Sequence, residues 1–260
     1  VIYMASDGSQ KQLTHTLNEE RNPVLSPNGK WVAFTRDNDL YAVEVASGRE
    51  VRYTTDGSDV IKNGYASWVY YEEILGRGSN YRSFWWSPDS RYLAFFRYDD
   101  SSVPVYPLYD VRGKHGLQEI NRYPRAGDPN PEVSVGIVPV EGGMVVWAAF
   151  DPKDDQYFGT PFWRPDGSSL LVQWMPREQN VLKLYDIDLI TGKKEEIYNE
   201  IQPTWVVWIE SLHWVKDGFM MIRDFDGWEQ IYLHDSDGSL RQKLTSGRMW
   251  DTKIIRCLLY

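Results

Sequence analysis

Short apolar runs recur along this chain, each preceded by a cluster of turn residues and several followed by segments in which apolar and polar residues alternate with a period of two. Trp31-Val32-Ala33-Phe34-Thr35-Arg36 follows Ser26-Pro27-Asn28-Gly29, and Tyr92-Leu93-Ala94-Phe95-Phe96-Arg97 follows Ser87-Pro88-Asp89-Ser90. Leu170-Leu171-Val172-Gln173-Trp174 follows Arg164-Pro165-Asp166-Gly167, and Phe219-Met220-Met221-Ile222-Arg223 follows Val215-Lys216-Asp217-Gly218. Each unit predicts a hairpin. Pro presets φ at the first turn position, and Asn or Asp followed by Gly accepts the left-handed conformation of a tight turn. Third and fourth strands are predicted after three of them: residues 40–45 then 50–53, 182–187 then 195–198, and 231–234 then 241–244.

Four antiparallel strands per unit, repeated, predict an all-β fold, a β-propeller of four-stranded blades with a short helical insertion. A β-sandwich offers similar hairpins, but it seldom repeats one turn signature four times. The turn motifs begin at residues 26, 87, 164 and 215, further apart than the roughly 40 residues of a compact blade, so insertions are expected. The reading is four complete blades and parts of two more, from an orphan strand in residues 1–14 and the tail after Trp250, with some blade edges unpaired.

Composition sharpens this picture. Twelve Trp and seventeen Tyr exceed what a helical core needs and suit pleated sheets. A net charge of −9 with scattered Lys and Arg excludes a nucleic-acid partner. No apolar run is long enough to span a membrane. The single cysteine, Cys257, rules out an internal disulfide framework and is expected to be a small buried residue. The opening Val1-Ile2-Tyr3 reads like the middle of a strand, so the chain is expected to be a fragment.

Two insertions interrupt the blades. In residues 56–83, the stretch 67–76 predicts a short helix, with Ser67 as N-cap and Gly76 as the left-handed residue that ends it. Trp68, Tyr71 and Leu75 fall at helical spacing and are expected to pack on the sheet. Glu72 and Glu73 then project about 100° apart. Two neighbouring glutamates serve either as a solvated helix face or as a pair sharing one cation. An ammonium has three donors and no acceptor, so two carboxylates can hold it between them. The second insertion, residues 101–160, is rich in Pro and Tyr. Residues 103–109 predict an edge strand, since Pro cannot serve a central ladder, and residues 122–131 a loop or projecting ribbon. An insertion of this length suits binding or association.

These insertions carry a resemblance. Asn63-Gly64 and Trp68-Val69-Tyr70 followed by Glu72-Glu73 resemble the double-glutamate motif of the dipeptidyl peptidase IV family. Phe84-Trp85-Trp86-Ser87-Pro88-Asp89, Val103-Pro104, Tyr123-Pro124-Arg125-Ala126-Gly127 and Asn130-Pro131 are similar to that family's following segments, in order and over nearly the whole chain. The resemblance implies an eight-bladed N-terminal propeller capping a C-terminal α/β-hydrolase domain with a Ser–Asp–His triad. Residues 1–260 would be part of that propeller, and the hydrolase domain would be absent from this chain. It implies an enzyme that removes Xaa-Pro or Xaa-Ala dipeptides, with Glu72 and Glu73 binding the free α-amino group of the peptide substrate. A protonated amine between two acids in a partly dehydrated cavity is held more firmly than in water. It also implies a homodimer through an arm at about residues 104–131, a periplasmic or extracellular location, and neither cofactor nor metal.

Three departures accompany the resemblance. Tyr71 stands where many relatives carry a third acid. An arginine that orients substrate in some relatives would precede Val1. No Gly-x-Ser-x-Gly elbow occurs in these residues, so no catalytic residue is assigned and the fragment alone is expected to be inactive. His15, His115, His213 and His234 fit no catalytic or metal motif and are expected at the surface or in turns. Trp205-Val206-Val207-Trp208 resembles a stretch near the family's pocket, without an assigned contact. A prolyl tripeptidyl peptidase and a non-catalytic, protein-binding propeller are the alternatives.

Overall fold

The computed structural model describes residues 1–4, 6–248, 250 and 252–255; Cys257 lies outside them. Four antiparallel sheets of four or five strands carry the chain, together with two short hairpins. The chain divides into two units. The first comprises Val1–Asp155 with Asp166–Ser168 and Asp188–Lys193, and the second the remainder.

In the first unit, strands Glu20–Leu25, Trp31–Arg36, Asp39–Glu44 and Glu50–Arg52 pair in sequence order as one blade. The next blade centres on Tyr92–Asp99. Ile61–Asn63 and Phe84–Trp86 pair along one edge of that strand, and Glu132–Pro139 followed by Val146–Trp147 extends the other. Residues 1–14 form a hairpin, Ile2–Met4 with Gln10–Gln12, rather than the single orphan strand the sequence predicts.

The six residues of Trp31–Arg36 are all buried, in keeping with the unbroken apolar run Trp31-Val32-Ala33-Phe34. The reason is that both faces of the blade are covered. Val32, Phe34, Tyr41 and Val43 pack with Leu13 of the terminal hairpin. Trp31, Ala33, Leu40 and Ala42 pack with Phe84, Leu93, Phe95 and Val138 of the next blade. Period two therefore selects between two apolar partners, and each fully buried large side chain contributes about 1.5–3 kcal/mol.

The repeated turn builds a repeated hydrogen-bond set. The Ser26 hydroxyl donates to Asn28 Oδ1 at 2.8 Å and accepts the Trp31 N–H at 3.0 Å. Ser87 repeats this with Asp89 at 2.7 Å and Tyr92 at 2.9 Å. Gly29 supplies the left-handed residue at φ 71°, and Ser90 takes that role at φ 62°. The fourth motif differs. Gly218 opens a strand, and a Cβ there would lie 1.9 Å from the His234 carbonyl oxygen, so close approach rather than φ selects glycine.

In the second unit, Gln156–Phe158 and Phe162–Trp163 both pair with Ser169–Pro176, followed by Val181–Asp188 and Lys194–Ile201. His213–Val215, Gly218–Arg223, Gln230–Asp235 and Leu240–Lys243 form the last blade. Leu171, Leu182, Leu184, Phe219 and Met221 join these two blades in one core. Arg223 Nε donates to Glu200 Oε2 at 2.7 Å, and both side chains are almost wholly buried, which ties the blades by a desolvated ion pair. His15 and His115 are exposed as expected. His234 is not: it is 2% exposed, because it lies on a strand packed against Phe219 and Tyr198. Residues 252–255 form no strand, so the described part of the tail adds none to a further blade. Among the described residues no helix is long and apolar enough to cross a membrane.

Candidate functional site

The helical insert is a loop closed by a bridge between Tyr65 and Arg82. Its helix starts at Trp68, and the turn Tyr70–Ile74 is wider than α, with the Leu75 N–H donating to the Tyr70 carbonyl at 2.7 Å. Such a five-residue turn often marks a functional site. Ser67 stands at the start of the helix, its carbonyl accepting the Tyr71 N–H at 3.0 Å. Its hydroxyl does not cap: it is buried and finds no partner among the described residues. Gly76 ends the helix at φ 76° and ψ 152°, so the positive φ is as expected but the conformation is more extended than a helix C-cap.

The wide turn also changes which ring is buried. Tyr70, rather than Trp68 and Tyr71, packs into the sheet, with its centroid 6.3 Å from Phe96 and 4.9 Å from Tyr98. Trp68 meets Tyr71 and Tyr123 edge-on at 6.3 and 6.4 Å. Tyr71, in place of a third acid, stacks on Tyr81 at 3.8 Å, and Tyr81 stacks in turn on Tyr65 at 5.0 Å.

Glu72 and Glu73 are consecutive on this turn but differ in surroundings. The Trp68 indole Nε1 donates to Glu72 Oε2 at 2.7 Å, and the Arg77 guanidinium bonds to Oε1. These two, Trp68 first, hold the Glu72 carboxyl below its ordinary pKa. The side chain of Glu72 is 20% exposed, whereas Glu73 is exposed. Trp68 also lines a cleft of about 700 Å³, together with Tyr65, Tyr81, Lys62, Asp100 and Arg122 among others. Neither glutamate lines it.

The second insertion forms a hairpin, Val105–Asp110 with Leu117–Arg122. The edge strand is therefore as predicted, and the projecting ribbon comes before residues 122–131 rather than within them. Its base is anchored beside the glutamates, since Tyr123 touches Trp68 and Arg122 Nη1 donates to the Val103 carbonyl at 2.7 Å.

Sequence reasoning did not find Trp68 as the donor to Glu72, nor Arg77 as its counter-ion. The first has a signal: positions four apart on a helix are neighbours. The second has none, because Arg77 lies beyond the break at Gly76.

A repeat of antiparallel four- and five-stranded blades, one bearing a helical insert with paired acids, defines part of a β-propeller. The chain belongs to the family described as the dipeptidyl peptidase IV (DPP IV) N-terminal region, whose model matches residues 1–257. It is 32% identical to a probable dipeptidyl-aminopeptidase B of Aspergillus fumigatus, over 88% of this chain and 27% of that protein. It is 29% identical to a dipeptidyl peptidase 4 of Arthroderma otae, over 89% of this chain and 31% of that protein. The crystal structure of Porphyromonas gingivalis dipeptidyl peptidase 4 superposes with a TM-score of 0.81 at 30% identity, covering 92% of this chain and 34% of that one. The chain thus spans about a quarter to a third of the length of these relatives.

Proposed function

We propose that this chain is the substrate-recognition and gating domain of a serine exopeptidase that releases Xaa-Pro or Xaa-Ala dipeptides, with Glu72 and Glu73 as the anchor for the substrate's α-ammonium. The observation that carries this reading is that Glu72 already holds a cation, the Arg77 guanidinium, while Trp68 fixes its other oxygen. A carboxylate so oriented binds an ammonium by position and charge, without proton transfer. The anchor would measure the cut from the amino end, and the nucleophile would come from a C-terminal α/β-hydrolase domain of the parent protein. In the same reading the protein is periplasmic or extracellular and pairs with a second copy through the hairpin at 105–122. That hairpin exposes Val105, Tyr109, Leu117 and Ile120, an apolar surface suited to association.

The test uses the full-length protein. Incubation with a peptide carrying proline second from its amino end should release a dipeptide, and Glu72→Gln or Glu73→Gln should lose most of that activity while the fold survives. Tripeptide release would point to the tripeptidyl alternative. Absence of any cleavage would favour the protein-binding propeller, and unchanged kcat/KM in both variants would remove the anchor.

A further inference from the structure

We infer that Arg77 is a displaceable internal counter-ion of the amine anchor: its guanidinium occupies Glu72 when no ligand is bound, and an incoming ammonium must replace it. This rests on the anchor reading of Glu72 and Glu73. The two partners of Glu72 are of different kinds. Trp68 is neutral and packed between Tyr71 and Tyr123, so its indole orients the carboxylate and leaves the charge available. Arg77 is charged and its side chain is 69% exposed, so it neutralises the carboxylate without being locked in place. Glu73, next to Glu72 on the same turn, adds a second negative charge that favours the guanidinium. Arg77 therefore stands in the field of both acids, as a ligand's ammonium would.

The backbone permits the exchange. Arg77 starts a single turn, Arg77–Ser79, between Gly76 at φ 76° and Asn80 at φ 52°. Neither Gly76 nor Gly78 has a neighbour within 4 Å of where a Cβ would stand, so the turn is open to solvent on both sides of the arginine. The far end of the segment is fixed. Tyr81 is held at φ 65°, a left-handed conformation unusual for a bulky residue, by stacking between Tyr65 and Tyr71. Arg77 can swing away while the acids and the aromatic stack stay where they are. An exposed ion pair is worth little, so the competition tunes affinity without closing the site. It lowers apparent affinity by the fraction of molecules whose Glu72 is occupied.

The experiment compares wild type, Arg77→Gln, Arg77→Lys and Glu72→Gln as full-length proteins, using steady-state kinetics on an alanyl-proline anilide and calorimetric binding of the alanyl-proline dipeptide. Arg77→Gln is expected to lower KM and the dipeptide Kd about two- to five-fold with kcat unchanged. Arg77→Lys should keep wild-type values, because an ammonium competes as the guanidinium does. Unchanged or raised KM and Kd in Arg77→Gln overturns the counter-ion role. In that event a large rise in Glu72→Gln would show that the anchor itself stands. An unaffected Glu72→Gln would show instead that the anchor reading has failed, and this inference with it.

Discussion

A carboxylate that accepts an indole N–H and a guanidinium keeps its charge further into acid than a free one, so at neutral pH it is ionised while a peptide amine is protonated, the pair of states an amine anchor requires. Trp68→Phe keeps a ring against Tyr71 and Tyr123 and removes the donor. KM for a free-amine substrate of the full-length protein should rise about 3- to 10-fold, equivalent to about 1 kcal/mol, with kcat little changed. His234 shows the opposite environment. Its ring stacks on Phe219 at 5.4 Å, its Nδ1 lies 2.9 Å from the Gly238 carbonyl, and its Nε2 is buried without a partner among the described residues. Burial holds its pKa below the ordinary 6.5, against the smaller opposing pull of Gly238 and Asp235. The folded state therefore binds its proton later than the unfolded chain does. The stability this residue supports is present above about pH 6.5, the unfolded value, and is lost below it as pH falls through the lower folded pKa. The urea midpoint should drop further between neutral pH and mild acid in wild type than in His234→Gln, and parallel curves would contradict the assignment.

At the scale of elements, the helical insert was legible in place but not in winding. Ser67, the apolar positions and Gly76 bracket the segment, yet the expanded turn at Tyr70–Ile74 buries Tyr70 instead of Trp68 and Tyr71. Hydrophobic spacing assumes 3.6 residues per turn, and nothing in the pattern announces a wider one. The Tyr65–Tyr81–Tyr71 stack was equally hidden, because it depends on the bridge between Tyr65 and Arg82 that closes the loop. Gly76 is where the insert is most exposed to a simple test. At φ 76° with open space around it, a side chain would meet no clash but would strain the backbone. Gly76→Ala should cost about 1 kcal/mol of stability, read as a lower urea midpoint of the purified chain. A neutral or stabilising effect would mean that the turn does not need a positive φ.

For the whole molecule, the four blades were legible because one turn chemistry recurs, and Ser26 and Ser87 make the same bonds in two of them. Which neighbour each side chain meets was less legible, since successive residues of the apolar run at 31–34 face two different apolar partners instead of core and water. The buried Glu200–Arg223 pair joins residues of two blades, and no local pattern pairs them. The glutamate pair stands out in the sequence only through the family resemblance, because two adjacent acids alone fit a solvated surface as well. If Glu72 and Glu73 recognise a charged amino end, blocking that amine reveals it directly. kcat/KM of the full-length protein would be measured on alanyl-proline anilide and on its N-acetylated form, in wild type and in Glu72→Gln. Wild type should prefer the free amine at least about 100-fold, nearly 3 kcal/mol, and the variant should lose most of that preference. Equal preference in both proteins would contradict that recognition.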